Sequence, residues 1–161
     1  MRGDIAIREA IPSDLSAVVD LLADSAKSQG APDSLCVDHA ALLRDGFGTT
    51  PRVHLLVAVA RTEIVAVAVY FFSYSTWTSI NGLHLEDLYV ATAWRRHGIA
   101  RALVKALTRV AQRAGCRRFQ WLVLRSNQEA IRFYESLGAD AADDWLLMQL
   151  PHDRIERLAA D

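Results

Sequence analysis

Residues Leu85 to Gly115 read LEDLYVATAWRRHGIARALVKALTRVAQRAG, and this stretch decides the fold class. A strand-like run from about Leu83 to Val90 leads into two arginines, a histidine and a single glycine. The spacing then predicts a helix that begins near Gly98, with Ile99, Leu103, Leu107 and Val110 as its inward stripe. Gly115 falls where a left-handed helix C-cap belongs. A helix N-terminus presents free N–H groups and partial positive charge, so it suits anions and phosphates above all. Gly98 would let a phosphate approach the backbone, and Arg95, Arg96 and Arg101 would add charge there. The plainer alternative is a solvated basic turn before an ordinary helix. The turn matches neither G-x-x-x-x-G-K-[ST] nor G-x-G-x-x-G, which excludes a P-loop and weakens a dinucleotide fold.

Working outward, Ile5 and Ile7 mark a short first strand. Pro12 and Ser13 open a helix whose stripe is Leu15, Val18, Val19 and Leu22. SQGAPDS interrupts it, and Asp38 caps a second helix carrying Leu42 and Leu43 and ending at Gly46. VHLLVAVA and IVAVAVYFF, parted by RTE, predict a hairpin of buried strands. SYSTWTSIN reads as a loop, FQWLVL (119–124) as a strand, and a short helix ends at Gly138. WLLMQL (145–150) reads as a last strand. With no repeat and no linker, the expectation is one α+β domain over 1–161 with a mixed sheet.

The 161 residues can form a core without disulfide or metal, and 52% hydrophobic with 23% charged residues is a globular composition. A net charge of −1 advertises neither nucleic acid nor an anionic membrane as partner. Cys36 and Cys116 lie far apart, and the five histidines form no H-x-x-x-H pair, so no metal is expected. The N-terminus lacks a signal-peptide pattern, and no apolar run reaches membrane-spanning length, so a cytoplasmic location is expected.

The segment RRHGIA resembles the R/Q-x-x-G-x-G/A acyl-CoA signature of the GNAT N-acetyltransferases, with Arg95, Gly98 and Ala100 at its fixed places. NQEAIRFYESLGA (127–139) is similar to that superfamily's N-x-x-A-x-x-F-Y-x-x-x-G motif. LLRDGFG (42–48), YFFSYSTW (70–77) and LEDLYV (85–90) narrow the likeness to spermidine/spermine and thialysine acetyltransferases. The resemblance implies an α/β/α-layered GNAT fold. Its sheet would be mixed, largely antiparallel, six- or seven-stranded, and splayed between the strands at 83–90 and 119–124, with coenzyme A in the splay. It also implies a homodimer in which 145–150 packs against or exchanges with a partner.

Acetyl transfer from acetyl-CoA to a small-molecule amine needs three acts: deprotonation of the amine, stabilisation of the thioester oxygen, and protonation of the thiolate. Glu86 and Asp87 are adjacent in a strand and should face opposite sides of the sheet. The resemblance implies Glu86 as the group acting on the amine through a water; the alternative is attraction of the substrate alone. Asp87 is expected to make a structural hydrogen bond. Backbone N–H groups of Leu88, Tyr89 and Val90 would serve the oxygen if the strand bulges there. Tyr134, on one helical face with Ala130, Ile131 and Leu137, is the candidate acid, against the alternative of an ordinary core tyrosine.

Ser126 and Glu129 form a candidate capping box that would leave Asn127 to the cofactor. Further cofactor contacts are implied at Arg96, His97, Ile99, Arg101 and Ala130, with His97 an exposed turn residue. Substrate contacts are implied at Ser28, Gln29, Trp77, Glu86, Asp87, Gln120, Trp121 and Leu122. Where polyamine enzymes carry a tyrosine–glutamate pair at the end of the first helix, this chain has Ser28 and Gln29. That leaves Glu86, Asp87 and Asp33 as the carboxylates and points to a shorter or less cationic amine: a diamine, a lysine- or thialysine-like amino acid, or an amine-bearing antibiotic. A non-catalytic acyl-CoA sensor of the same shape is the competing class.

Overall fold

The computed structural model describes residues 5–30, 37–142 and 144–160. Asp33 and Cys36 lie outside them. The chain forms two compact units, Met1–Leu122 and Val123–Asp161.

The first unit is a five-stranded sheet in the order β1 (Ile5–Glu9), β2 (His54–Ala60), β3 (Glu63–Ser75), β4 (Ile80–Val90) and β5 (Arg118–Trp121). The first four strands pair antiparallel, and β4 and β5 pair parallel. Helices α1 (Leu15–Ser28) and α2 (His39–Phe47) pack on one face, where Val18, Leu21 and Leu22 meet Val57, Val67, Val69 and Tyr89. Helix α3 (Ile99–Arg113) covers the other, placing Ile99, Leu103, Leu107 and Ala111 on Leu56, Ala66, Ala68, Leu83 and Leu85. Burial on both faces explains why β2 and β3 read as unbroken apolar runs rather than alternating ones. The α/β/α layering and the mixed sheet are as expected.

Two expected strand features differ. SYSTWTSIN is no loop, because β3 extends to Ser75 and β4 starts at Ile80, leaving a tight turn between them. Ser73 and Ser75 stay in register there, opposite Gly82 and Ile80, so ladder pairing outweighs polar composition. Conversely, WLLMQL forms no strand, and Trp145, Leu146, Leu147, Met148 and Leu150 are exposed. The described residues thus form five strands, not six or seven. The strand expected over 119–124 stops at Trp121, since β5 is an edge strand whose single neighbour pairs with it over four residues.

The second unit holds α4 (Gln128–Glu135) and α5 (His152–Ala160). Sequence reasoning missed α5. Its two large apolar residues at helical spacing, Ile155 and Leu158, are the signal it carried, and both are exposed.

Helix ends follow local chemistry. Asp38 accepts from the Ala40 N–H at 2.9 Å to cap α2, which ends at Phe47, one residue beyond the expected stop. Gly115 has φ +67°, and the Cys116 N–H reaches the Ala111 carbonyl at 2.9 Å while Gly115 reaches Gln112 at 3.1 Å. Those two bonds close α3 in a Schellman turn.

The entry to α1 is pinned by Asp14, which is buried. Its carboxylate accepts both Arg8 guanidinium nitrogens, at 2.6 and 3.0 Å, and the Ile11 N–H at 2.8 Å. The Arg8 hydrogen bonds, then the backbone one, hold its carboxyl below the usual aspartate range despite burial. A lowered folded pKa stabilises above the unfolded value and is lost as pH falls through the folded one. Asp14→Asn should therefore cost about 1–2 kcal/mol at neutral pH, measured by urea unfolding. The difference from the wild type should shrink as pH drops below about 4.

Candidate active site

The decisive local feature is in the β3–β4 register. Asp87 lies opposite Val69 and Leu85 opposite Tyr70, so Glu86 is one extra residue, a β-bulge. The bulge resets the pleat. Leu83 and Leu85 before it and Leu88 and Val90 after it all meet the α3-side core. On the α1 side lie His84, stacked on its cross-strand partner Phe71, and Asp87, opposite Val69, with Tyr89 in that core.

The expectation of carboxylates on opposite faces is thereby corrected. Glu86 reaches back to His84, its Oε2 3.6 Å from Nε2, and its charge acts on Asp87. Simple alternation cannot foresee this, yet the apolar spacing 83, 85, 88, 90 carries the trace of one inserted residue. The bulge also sits upstream of the stretch proposed for it, Leu88 to Val90.

Burial, then the Glu86 charge, raises the Asp87 carboxyl above its ordinary range. Glu86 itself is exposed.

Beyond the bulge, β4 has a free edge. β5 pairs with it only from Gly82 to Leu85, while β4 runs on to Val90. That is the splay expected between these strands. The Ala91 N–H donates to Val65 at 2.9 Å, toward β3. Alternation then turns the Leu88 and Val90 N–H groups to the open edge and Tyr89 toward β3. Arg95 folds back against this edge, with Nε donating to the Val90 carbonyl at 3.2 Å and its guanidinium 5.4 Å from the Tyr89 ring centre. It is engaged with β4 rather than turned wholly to the helix start.

At the head of α3, Gly98 has φ +77°, a conformation that only glycine adopts without strain. A side-chain carbon there would meet nothing within 4 Å, so space lies open beside the first N–H groups of Ile99, Ala100 and Arg101. Arg96 and His97 are exposed in the turn, and His97 Nδ1 donates to the Arg95 carbonyl at 2.7 Å. These features fit an anionic, extended cofactor: backbone donors along a strand edge, then a helix N-terminus in reach of arginines.

The other expected substrate residues scatter. Ser28 donates to the Ser25 carbonyl at 2.7 Å, and Gln29 Nε2 donates to the Ser25 hydroxyl at 3.2 Å, so both side chains turn back on α1. Gln120 Nε2 faces His84 Nδ1 at 3.4 Å. Trp121 packs edge-on against Phe119 at the core. Leu122 is exposed beyond β5, and Trp77 lies in the hairpin turn, 85% exposed.

In the second unit, Asn127 is itself the cap of α4, its Oδ1 accepting the Ala130 N–H at 3.1 Å. The helix starts one residue later than a Ser126–Glu129 box requires, which corrects that expectation. Ala130, Ile131, Tyr134 and Leu137 do share the less exposed face. Burial raises the Tyr134 phenol above its usual value, so it keeps its proton at neutral pH.

Comparison with known proteins agrees with this fold. The acetyltransferase (GNAT) family model matches residues 16–139. Thialysine N-epsilon-acetyltransferase of Bos taurus is 32% identical over 166 residues, covering 96% of this chain and 97% of that one. Spermidine/spermine N(1)-acetyltransferase-like protein 1 of Homo sapiens is 31% identical over 163 residues, covering 95% of this chain and 23% of that one. An integron cassette protein from the mobile metagenome of V. cholerae superposes with a TM-score of 0.83 at 20% identity, covering 100% of this chain and 99% of that chain. That likeness shows the fold. The chain belongs to the GNAT family and is an acetyltransferase.

The Asp87 environment can be tested directly. A raised folded pKa stabilises below the unfolded value and is lost as pH rises through the folded one. Its carboxyl carbon should titrate above ~3.9, and Glu86→Gln should bring the midpoint down. Asp87→Asn should raise the melting temperature at pH 7.

Proposed function

We propose that the enzyme transfers the acetyl group of acetyl-CoA to a primary amine of a small molecule, working as a single acetyltransferase domain in the cytoplasm. The observation that carries this reading is the division of labour along β4. Two carboxylates, Glu86 and Asp87, lie immediately before two backbone N–H groups aimed at an open strand edge. Carboxylates suit an ammonium, and N–H groups suit an oxygen gaining negative charge.

Acetyl-CoA, when bound, supplies the activated acyl group. The Leu88 and Val90 N–H groups bind along the cofactor and stabilise the thioester oxygen as charge develops. Gly98 and the amides of Ile99, Ala100 and Arg101 hold phosphate. Asp87 attracts the ammonium. Glu86 takes its proton through a water, so that the free nitrogen can attack the thioester carbon. As the carbon–sulfur bond breaks, Tyr134 gives a proton to the departing thiolate, whose conjugate acid has a pKa of about 8.5; the attacking nitrogen releases its surplus proton to water, and water restores the phenol.

The acceptor we favour is short: a diamine, or a lysine- or thialysine-like amino acid. Supporting this, Ser28 and Gln29 are neutral and bonded to Ser25 rather than offering a carboxylate to a long polycation. A relative named for thialysine supports the amino-acid end of that range.

We also propose a twofold homodimer. Trp145, Leu146, Leu147, Met148 and Leu150, with Ile155 and Leu158 of α5, expose more contiguous apolar sequence than a lone chain ordinarily leaves in water. Light scattering at micromolar concentration should report twice the chain mass. A monomer would contradict it.

Thiol release measured against a panel of amines tests the activity and separates an enzyme from a sensor. Tyr134→Phe should lower kcat by roughly 10–1000-fold with little change in the KM for the amine. A fully active variant, with chemistry rate-limiting, would remove Tyr134 from the reaction.

A further inference from the structure

His84 takes no part in the chemistry above, yet three neighbours fix its ring. Phe71 stacks on it with centroids 4.7 Å apart and planes 22° apart. The Gln120 amide nitrogen, which can only donate, lies 3.4 Å from Nδ1. With that donor at Nδ1, the tautomer that fits carries its ring proton on Nε2. Nε2 faces Glu86 Oε2 at 3.6 Å, a gap that a small rotation of the glutamate closes to a hydrogen bond.

The contrast in exposure matters: the His84 side chain is 14% accessible and that of Glu86 57%. A long carboxylate on a bulged residue, open to water, would otherwise sample many rotamers. We propose that His84 is a positioning residue that holds the Glu86 carboxylate in place at the bulge, with Gln120 setting its tautomer and Phe71 its plane.

The inference rests on the assignment of Glu86 to the acceptor amine. An Nε2–H donor suits that task, because it orients the carboxylate and leaves it charged to attract an ammonium. The other charged group on this part of the face, Asp87, cannot do the same, since it repels Glu86.

Two readouts on the full-length enzyme test this. Imidazole nitrogen resonances should show the Nε2–H tautomer, with the Nε2 signal shifting in Glu86→Gln and the tautomer preference weakening in Gln120→Leu. In kinetics, His84→Phe should lower kcat about tenfold and leave the KM for acetyl-CoA in place, while His84→Gln, which keeps a donor, recovers most of the loss. Added to Glu86→Gln, His84→Phe should cost nothing further, as expected of a residue acting through another. An Nδ1–H tautomer, or a His84→Phe loss undiminished in the Glu86→Gln background, would overturn the proposal. Should His84→Phe fail to fold, Gln120→Leu carries the same kinetic expectation, and full kcat there with an unchanged tautomer counts against it. Wild-type turnover in Glu86→Gln would instead remove Glu86 from the amine, and the nitrogen resonances would still decide whether His84 holds it.

Discussion

The site depends on one constraint: β4 must serve two neighbours of unequal length. It pairs with β3 from Ile80 to Val90, but with β5 over only four residues. Inside a sheet an unpaired strand edge is costly unless something else satisfies it. Here the chain satisfies part of it itself, through the Arg95 guanidinium on the Val90 carbonyl, and leaves N–H donors facing outward. The same departure of β5 follows from the β4–α3–β5 crossover, which sets the α3 N-terminus just beyond the end of β4. One topological decision therefore supplies both the strand-edge donors and the helix-end donors.

The bulge at Glu86 is the second element of the design, and hydrophobic register explains it. Four apolar side chains, Leu83, Leu85, Leu88 and Val90, must all meet the α3-side core. With two polar residues between Leu85 and Leu88, only an inserted residue keeps both pairs inward. The insertion places two carboxylates and a histidine at one point of the α1 face. Asp87 is held there half-buried and out of its ordinary range, a cost accepted at functional positions more readily than in structural ones.

Much of this was legible in the sequence because it rests on local chemistry. Gly98 and Gly115 announce the ends of α3 by the conformations only glycine takes easily, and the apolar runs around Arg61 announce the hairpin. What was illegible depends on pairing between distant segments. The two ends of SYSTWTSIN are strand because their residues find register partners, and WLLMQL is not because it finds none among the described residues. The Asn127 cap differs from expectation by one residue, since serine and asparagine are near-equal caps and adjacent in the chain. The relation of Glu86 to His84 needed the bulge, which alternation alone hides.

The central claim is that the open edge of β4 and the head of α3 together receive the acetyl donor. Backbone amide resonances followed during titration with acetyl-CoA test it most directly. The account predicts saturable shifts at Leu88, Val90 and Gly98 to Arg101. Saturable shifts confined to other residues, such as Thr108, Gln112 and Cys116 in the hollow at the far end of α3, would contradict it.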